Sequence, residues 1–338
     1  MKKYLVILCY LLIMITAFAA KAGEVVYREG EVMLKDATNW MHKADFGDTV
    51  KTGDTIITGA NGYTEIETEN STVKISNSTV FTFLETETGG KKRNALTCVT
   101  GSVLLKISKI TGTAPQINTL SANAGVRGTE FTLFAADNGS TLVAVNEGTV
   151  EVSAAGGVVV LAPDEGVEVA PGSPPGKKFK VLRGSLNYQD WNSGKIKEFL
   201  KEPVNSVYRL YSRMEDFIKE IEKIELTYNV NKKMLALERE NLDTIKKKEG
   251  DDAAKAYYTD KVLPLEAETS YQVLNIRYYA LSALSLRRYI LSRLYMLMKI
   301  KYIADPVNQT YIDYLYAHNQ LLQLFEKRIV PYLVEDDI

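Results

Sequence analysis

The sequence has 338 residues, which is enough for two domains of ordinary size. Apolar residues make up 46% of the chain and charged residues 25%, which excludes a disordered chain and a chain embedded mostly in a membrane. The 41 Lys and Arg residues nearly balance the 42 Asp and Glu residues, so the strong positive charge of most nucleic-acid-binding proteins is missing.

The first 22 residues predict an export signal. Lys2 and Lys3 supply the positive start, residues 4–15 form an apolar run, and two cleavage sites of the A-x-A type end at Ala19 and Ala22. We expect cleavage after one of these alanines, and therefore an exported protein, periplasmic or extracellular, with no remaining membrane span. The alternative is that the apolar run is kept as an anchor, since it is nearly long enough to cross a bilayer.

Removal of the signal would take away Cys9 and leave a single cysteine, Cys98. One thiol cannot form an internal disulfide, whatever the redox state of the compartment. Because Cys98 lies in the apolar, strand-like run 96–100, we expect it to be buried and unreactive.

Residues 23–170 carry the pattern of β-strands. Apolar and polar residues alternate over residues 64–69, 73–76 and 80–84, which places one face of each strand on a core and the other in water. Glycine-containing breaks recur between these runs. Short strands between such breaks are typical of an all-β roll, sandwich or solenoid, and we predict a roll-like or solenoid-like β domain.

The next segment, residues 171–190, is predicted to be a linker. Its start, from Pro171 to Lys178, is rich in proline and glycine. Proline fixes φ and removes a backbone donor, which suits a semi-rigid connector.

Residues 191–338 change to a helical period. Apolar residues follow steps of three and four along residues 196–224. Breaks are predicted at Gly250, Pro264 and Pro306. The pattern predicts three to four long antiparallel helices packed as a bundle, which makes the whole chain an α+β multidomain protein.

Three motifs of the β region place turn residues beside a predicted strand. In chain order they are Gly53-Asp54 with Gly59 and Gly62, then Arg127-Gly128-Thr129 with Phe131, and finally Glu147-Gly148. Through these motifs, in this order, the segment between Gly47 and Val169 resembles the FecR domain, a family of bacterial periplasmic modules.

The motif residues can also be interpreted without the family. Gly53 and Gly59 would frame a strand with turns, and Asp54 could bond its own backbone in an Asx-turn. Arg127 stands between an apolar residue and a glycine, ahead of a predicted strand. Its guanidinium could tie neighbouring carbonyl groups or Glu130 and hold a corner of the domain, or it could contact a ligand. We therefore treat the motif residues as structural or partner-binding.

The resemblance implies a periplasmic location. FecR-type proteins are best known from iron-transport signalling, where a cytoplasmic N-terminal segment acts on a sigma factor and the periplasmic part responds to an outer-membrane receptor. Here only three residues precede the apolar run, so we expect no such cytoplasmic segment and no direct sigma-factor control. The resemblance then implies two things: a periplasmic location, and a β module that acts as a binding or scaffolding unit.

The sequence lacks the usual catalytic motifs. Its two histidines, His42 and His318, occur without a Cys-x-x-Cys or His-Glu-x-x-His pattern, so we expect no metal. Neither a Gly-x-Ser-x-Gly elbow nor a phosphate-binding glycine loop is present. The alternating acids Glu65, Glu67 and Glu69 are interpreted as the solvated face of a strand rather than as a glycan-cleaving pair. We expect no cofactor and no enzymatic activity.

Three functions remain open. The first is a non-enzymatic envelope interaction or scaffold protein, whose β module docks an envelope protein while the helices mediate assembly. The second is a cell-wall or polysaccharide binding module, which is disfavoured because the β region offers only Trp40, Tyr27 and Tyr63 as aromatic platforms of the Trp or Tyr type. The third is an envelope signalling component that acts through a separate membrane protein.

Overall fold

The computed structural model describes residues 21–88, 91–108, 115–126, 128–182 and 184–334. A β-rich region comes first and a helical region follows, as the sequence predicts. The strands are β1 (Lys21–Glu29), β2 (Val32–Lys35), β3 (Met41–Lys43), β4 (Thr49–Lys51), β5 (Thr55–Thr58), β6 (Tyr63–Glu67), β7 (Ser71–Ile75), β8 (Val80–Thr88), β9 (Lys91–Ile107), β10 (Gln116–Asn118), β11 (Asn123–Val126), β12 (Glu130–Ala135), β13 (Thr141–Glu147), β14 (Val150–Ala154), β15 (Gly157–Leu161), β16 (Glu165–Val169) and β17 (Phe179–Lys180).

The strands form two layers that share β9. Backbone pairing gives the order β4-β1-β6-β7-β9-β12-β13-β16-β17 in the first layer. It gives β3-β2-β5-β8-β9-β10-β11-β14-β15 in the second layer. The β9–β10 pair is parallel and the other pairs are antiparallel. Among the described residues, neither layer closes on itself.

Strand β9 is 17 residues long and passes from the second layer to the first at Gly101. Its N-terminal part pairs with β8 up to Thr100, and its C-terminal part pairs with β12 from Gly101 onward. Gly101 has a φ of +107°, and a Cβ atom there would lie 2.5 Å from the Cα of Thr79. Glycine is therefore required at this bend, because other residues lack both the conformation and the space.

The β core lies between the two layers. In β7, Val73 and Ile75 are fully buried while Lys74 between them reaches solvent, which confirms the predicted alternation. Burying one such apolar side chain stabilises the fold by about 1.5–3 kcal/mol. Cys98 lies in the same core, which confirms its predicted burial. Burial raises the pKa of its thiol and so disfavours the reactive thiolate, in line with the expectation that it is unreactive.

The helical region follows with long elements. The helices are α1 (Tyr188–Lys201), α2 (Pro203–Glu249), α3 (Asp251–Tyr257), α4 (Leu263–Ser285), α5 (Ser292–Lys301), α6 (Gln309–Arg328) and α7 (Pro331–Val334). Helix α1 begins at a cap, because the Asn187 side chain accepts hydrogen bonds from the backbone of Gln189 and Asp190. Helix α2, 47 residues long, ends at Gly250, whose φ of +91° stops the helix at the predicted break.

The sequence pattern predicted a break at Pro264, and this prediction is wrong, because the chain stays helical through this residue. Two π-helical segments, Tyr258–Val262 and Leu286–Leu291, keep the helix continuous from α3 to α5. In the first, the Leu263 amide donates to the Tyr258 carbonyl, five residues back. This wider turn makes room for the ring of Pro264, which would otherwise meet the carbonyl four residues before it.

The helices share a core and pack against the β region. Val207, Leu210 and Met214 of α2 are buried together with Tyr314 and Leu321 of α6. Leu120, from the turn between β10 and β11, belongs to the same apolar cluster. Of the helices in the described ranges, none is both long and apolar enough to span a membrane.

The proline-rich segment that was predicted as a linker runs along the β region. Pro174 and Pro175 lie so close to Gly157 that a Cβ there would be 2.7 Å from the Pro174 side chain. Residues Phe179–Lys180 then pair with β16 at the edge of the first layer. Strand β15 is the edge strand of the second layer. Because Pro174 and Pro175 lie beside its first residue, Gly157, they shield that end of β15 from pairing with another chain.

Strand β1 begins inside the predicted signal peptide. Lys21 pairs with Lys51 of β4, and the Ala22 side chain is buried in the β core. Cleavage after Ala19 would leave this strand whole, whereas cleavage after Ala22 would shorten it by two residues. The signal itself lies mostly in residues 1–20, outside the described ranges, and stays a prediction.

Candidate functional site

Gly59 and Gly62 lie where two turns of the β region meet. The Gly59 amide donates to the Glu31 carbonyl at 2.8 Å, and the Gly62 amide donates to the Gly59 carbonyl at 3.0 Å. A Cβ atom on Gly62 would collide with the Glu31 carbonyl oxygen. The two glycines therefore let the turn after β5 pack on the turn between β1 and β2.

Gly53 and Asp54 lie at the opposite end of β5. The Asp54 carboxylate is buried and accepts a hydrogen bond from the Lys51 amide at 2.8 Å. Asp54 thus bonds to nearby backbone, but three residues before it and not two residues after it as in the predicted Asx-turn. Burial raises the pKa of Asp54, and the bond from Lys51 opposes that rise. Gly53 has a φ of +96° and donates its amide to the Phe83 carbonyl at 2.7 Å. This pair thus fixes the turn between β4 and β5.

The remaining motif residues form a corner where the start of β12 lies beside the end of β13. Gly148 has a φ of +80°, and a Cβ there would lie 2.7 Å from the Gly128 carbonyl oxygen. Thr129 and Phe131 are buried, the latter in the core between the layers, whereas Glu147 is exposed. Arg127 lies outside the described residues, so both of its interpretations stand.

The structure does not gather the described motif residues into one pocket. Gly53 and Gly59 occupy opposite ends of β5, and the Gly128–Gly148 corner belongs to other strands. Each group fixes a turn or fills the core. The structure does form a pocket elsewhere, between the β region and the helices.

A cleft lies between the outer face of the second layer and the helices α2 and α4. Its volume is about 460 Å³. It is lined by Thr97, Val99, Gln116, Thr119, Leu120, Asn123, Ala155, Gly156, Arg213, Asp216, Phe217, Lys219, Glu220, Tyr278, Tyr279, Ser282, Ser285 and Leu286. Concave sites of this size at the junction of two structural units commonly bind ligands, which makes the cleft the candidate functional site.

Arg213 holds one wall of the cleft in place. Its Nε donates to the Leu120 carbonyl at 2.7 Å, and a terminal nitrogen lies 3.7 Å from the Asp216 carboxylate. The guanidinium also stacks over the ring of Phe217, with its central carbon 4.4 Å from the ring centroid. Burial lowers the pKa of Arg213 from its ordinary value, and Asp216 opposes that change. The side chain thereby joins α2 to the turn between β10 and β11.

Several polar side chains in the cleft are free to meet a ligand. Gln116 and Asn123 are half-buried on the sheet side, and Lys219 and Glu220 lie on α2. None of these four side chains has a hydrogen-bond or ion-pair partner within the described residues. The positive charge of Lys219 balances the negative charge of Glu220. Arg213 and Asp216 balance in the same way, so the charges of the lining sum to zero.

A polar clamp fixes the helices to the β12–β13 turn. The buried Asp137 carboxylate accepts hydrogen bonds from Arg293 Nε at 2.7 Å and from Asn192 Nδ2 at 3.2 Å. The Asp137 amide donates to Asn192 Oδ1 at 2.9 Å. Since Asn192 belongs to α1 and Arg293 to α5, one aspartate positions two helices.

Two apolar surfaces remain exposed. The α2 stripe consists of Leu226, Val230, Met234 and Leu237, which share one face of the helix, and Leu226 is 73% exposed. The β3 patch consists of Trp40, Met41 and Phe46, at and just beyond an edge strand, with Phe46 also 73% exposed. Exposed apolar patches on folded proteins commonly mark interaction surfaces.

The cleft was not predicted from the sequence. Tyr278 and Tyr279 are adjacent tyrosines in a helical period, a signal that fits a packed seam as well as a binding wall. The sheet side gave a better signal: the strand-like run 96–100 contains no charged residue, which is typical of a strand covered on both faces, and the structure buries all of residues 95–100. Among the described residues, no cluster of three or more His, Cys, Asp or Glu side chains is placed to hold a metal ion.

Comparison with known proteins identifies one family. The family model described as FecR protein matches residues 54–151, which confirms the FecR resemblance for that part of the chain. No curated protein matches the chain.

Two solved structures show a distant similarity. Both are crystal structures of a candidate anti-sigma factor from Parabacteroides distasonis ATCC 8503. The first has 18% identity, covers 38% of this chain and 59% of its own, and gives a TM-score of 0.33. The second has 17% identity, covers 47% of this chain and 73% of its own, and gives a TM-score of 0.32. This chain thus spans less than two thirds of the first of them, and we infer nothing about function from either.

Proposed function

We propose that this protein is a non-enzymatic interaction protein of the bacterial envelope, exported to the periplasm or beyond. In this proposal the β region docks an envelope protein partner and the helical region mediates assembly. The FecR match over residues 54–151 supports the location and the regulatory setting, since that family is best known from envelope signalling. The protein would then act in signalling through a separate membrane protein.

The observation that carries this proposal is the α2 stripe. The N-terminal half of α2 is buried among other helices, whereas Leu226, Val230 and Leu237 farther along are more than half exposed. Apolar side chains repeated along one helix face fit the apolar face of another helix. We assign the α2 stripe to assembly with a helical partner and the β3 patch to docking of the β region.

The proposal also includes a finer view of the architecture. The β region is an open roll of two layers, and the helical region is an antiparallel bundle of long helices. Packing of α2 against both α4 and α6 supports the bundle. The passage of β9 from one layer to the other supports the roll.

The test is partner capture in intact cells. Wild-type protein would be crosslinked, purified and analysed by mass spectrometry beside Val230→Glu and the control Lys232→Glu, which changes an exposed residue on another face of α2. We expect one defined envelope protein to be enriched with wild type and with the control, and to be lost with Val230→Glu. Equal capture by all three variants, or capture of no envelope protein, would contradict the proposal.

A further inference from the structure

We propose that the cleft binds a short, uncharged saccharide segment, a function that goes beyond the protein–protein interaction proposed above. Its volume of about 460 Å³ falls in the range of sites that bind small ligands. The lining combines aromatic rings with hydroxyl, amide and carboxylate groups. A sugar ring presents both an apolar C–H face and a rim of hydroxyls, so this mixture matches it.

The aromatic part of the cleft comes from the helices. Phe217 and Tyr279 lie with ring centroids 6.3 Å apart, and Tyr278 meets Tyr279 edge-on at 5.1 Å. Arg213 stacks on Phe217 and holds it in position. Phe217 and Tyr278 are almost fully buried, so the half-buried ring of Tyr279 is the aromatic surface that a sugar can reach. Its contacts with the two buried rings fix it before a ligand arrives, so little side-chain entropy is lost on binding.

The polar part comes mainly from the sheet side. Gln116 and Asn123 each offer a carbonyl acceptor and an NH₂ donor, and a sugar hydroxyl can serve both. Glu220 adds an acceptor from the opposite wall. Because no described residue bonds to these three side chains, their donors and acceptors are available to sugar hydroxyls.

Charge and topology argue against other ligand classes. Arg213 and Lys219 are matched by Asp216 and Glu220, so the cleft has no net field to select a phosphate or a nucleic acid. The strands beneath it are paired on both sides, with β9 and β11 flanking β10 and β14 beyond. A peptide therefore has no free strand edge to join.

The experiment is isothermal titration of the exported chain with chitotriose, maltotriose and trialanine. Chitotriose represents cell-wall glycan, maltotriose a soluble glucose polymer, and trialanine a peptide. We expect saturable binding of one of the two saccharides and none of trialanine. Asn123→Ala and Glu220→Gln should each weaken that binding about tenfold, the loss expected when hydrogen bonds in a site are removed.

The control is Asn229→Ala, which changes an exposed asparagine on α2 outside the cleft and should leave the affinity unchanged. Thermal melting of each variant verifies that it is folded. The proposal is overturned if neither saccharide binds, if only trialanine binds, or if the two cleft variants bind like the control. Because the α2 stripe is separate from the cleft, partner capture can succeed or fail independently of this result.

Discussion

At the residue scale, close backbone approach explains the glycines of the FecR-like motifs. Gly62 packs against the Glu31 carbonyl with no space for a side chain, and Gly59 bonds to the same carbonyl. The strands on both sides bring their turns together at this point. A methyl group here must displace backbone rather than a flexible side chain.

We therefore expect Gly62→Ala to destabilise the protein by about 1–3 kcal/mol, the usual cost of overpacking a tight site. Gly194 in α1 is the matched control, because nothing lies within 4 Å of a Cβ there. Gly194→Ala should stabilise by about 0.5–1 kcal/mol, since alanine favours helix. Urea denaturation of both variants measures the difference, and equal stabilities would show that the turn contact is not tight.

His318 makes the stability of the folded protein depend on pH. The imidazole is buried beside Tyr295 and Tyr314, and its Nδ1 has no partner among the described residues. Burial lowers the pKa of His318 from its ordinary value of 6.5, and a bond to Asn319 opposes that effect. The unfolded chain thus takes up a proton at a higher pH than the folded chain.

The stability contributed by neutral His318 is therefore present above pH 6.5 and is lost as the pH falls through the lowered folded-state pKa. We expect His318→Phe, which cannot titrate, to lose less stability on acidification than the wild type. Thermal melting of both proteins over a pH series gives the comparison. Parallel pH profiles would show that the imidazole is not desolvated.

Part of this residue-level picture could be predicted from sequence. Aspartate next to a turn glycine predicts a bond from Asp54 to nearby backbone, and such a bond is present. Its donor, the Lys51 amide three residues earlier, was not predicted, because the Asx-turn pattern points to the residues that follow. The burial of His318 could not be predicted, because it depends on which helix faces meet. The cleft residues Asn123 and Glu220 are 97 positions apart in sequence, and only the tertiary fold brings them to one site.

At the element scale, the clamp around Asp137 joins two helices to a β turn. Asp137 is only 5% exposed, so its carboxylate obtains its hydrogen bonds from protein groups in place of water. Removing Arg293 would leave that carboxylate with the neutral Asn192 as its remaining side-chain partner. A buried charge that loses a charged hydrogen-bond partner is costly.

We expect Arg293→Ala to lower the free energy of unfolding by about 1–3 kcal/mol. Arg239→Ala is the control, because Arg239 pairs with Glu266 at 2.8 Å on the surface and exposed pairs contribute about 0–1 kcal/mol. Chemical denaturation of both variants tests the prediction. If Arg293→Ala and Arg239→Ala lower the free energy of unfolding equally, the clamp around Asp137 is no stronger than a surface ion pair.

Helix boundaries show why element prediction has limits. The break at Gly250 was predicted correctly, because a glycine with positive φ ends a helix locally. The break at Pro264 was wrong, because a π turn just before it removes the clash. Whether a proline breaks a helix or is absorbed depends on the packing of neighbouring helices, which the local sequence does not encode.

At the scale of the whole molecule, the β region and the helices form a continuous structure. Leu84 and Ala95 on the second layer pack against Tyr278 of α4, and Phe134 on the first layer packs against Tyr188 and Trp191. The change of period near residue 190 correctly predicted two kinds of secondary structure. It could not predict their docking, since apolar residues on outer strand faces do not reveal what covers them.

Apolar surfaces that are covered and apolar surfaces that stay open also look alike in the sequence. Beyond Ile224, the α2 stripe repeats at helical spacing but lies on a different face of α2 from the buried Met214 and Ile221, and the described residues leave it largely exposed. In the sequence, this second apolar face cannot be told from one that is covered. Only the structure shows that it is left open, as expected for an interface with another chain.

The most direct test of the proposed function is a photo-crosslinking scan along α2 in intact cells. A photoreactive amino acid would be placed at Leu226, Val230, Met234 and Leu237, and at Lys232 and Ala236 as exposed controls on other faces. The proposal predicts one defined envelope-protein adduct from the four stripe positions and none from the two controls, so the adduct follows the helical period. Adducts that do not follow this period, or no adduct at any position, would contradict the claim that the α2 stripe mediates assembly.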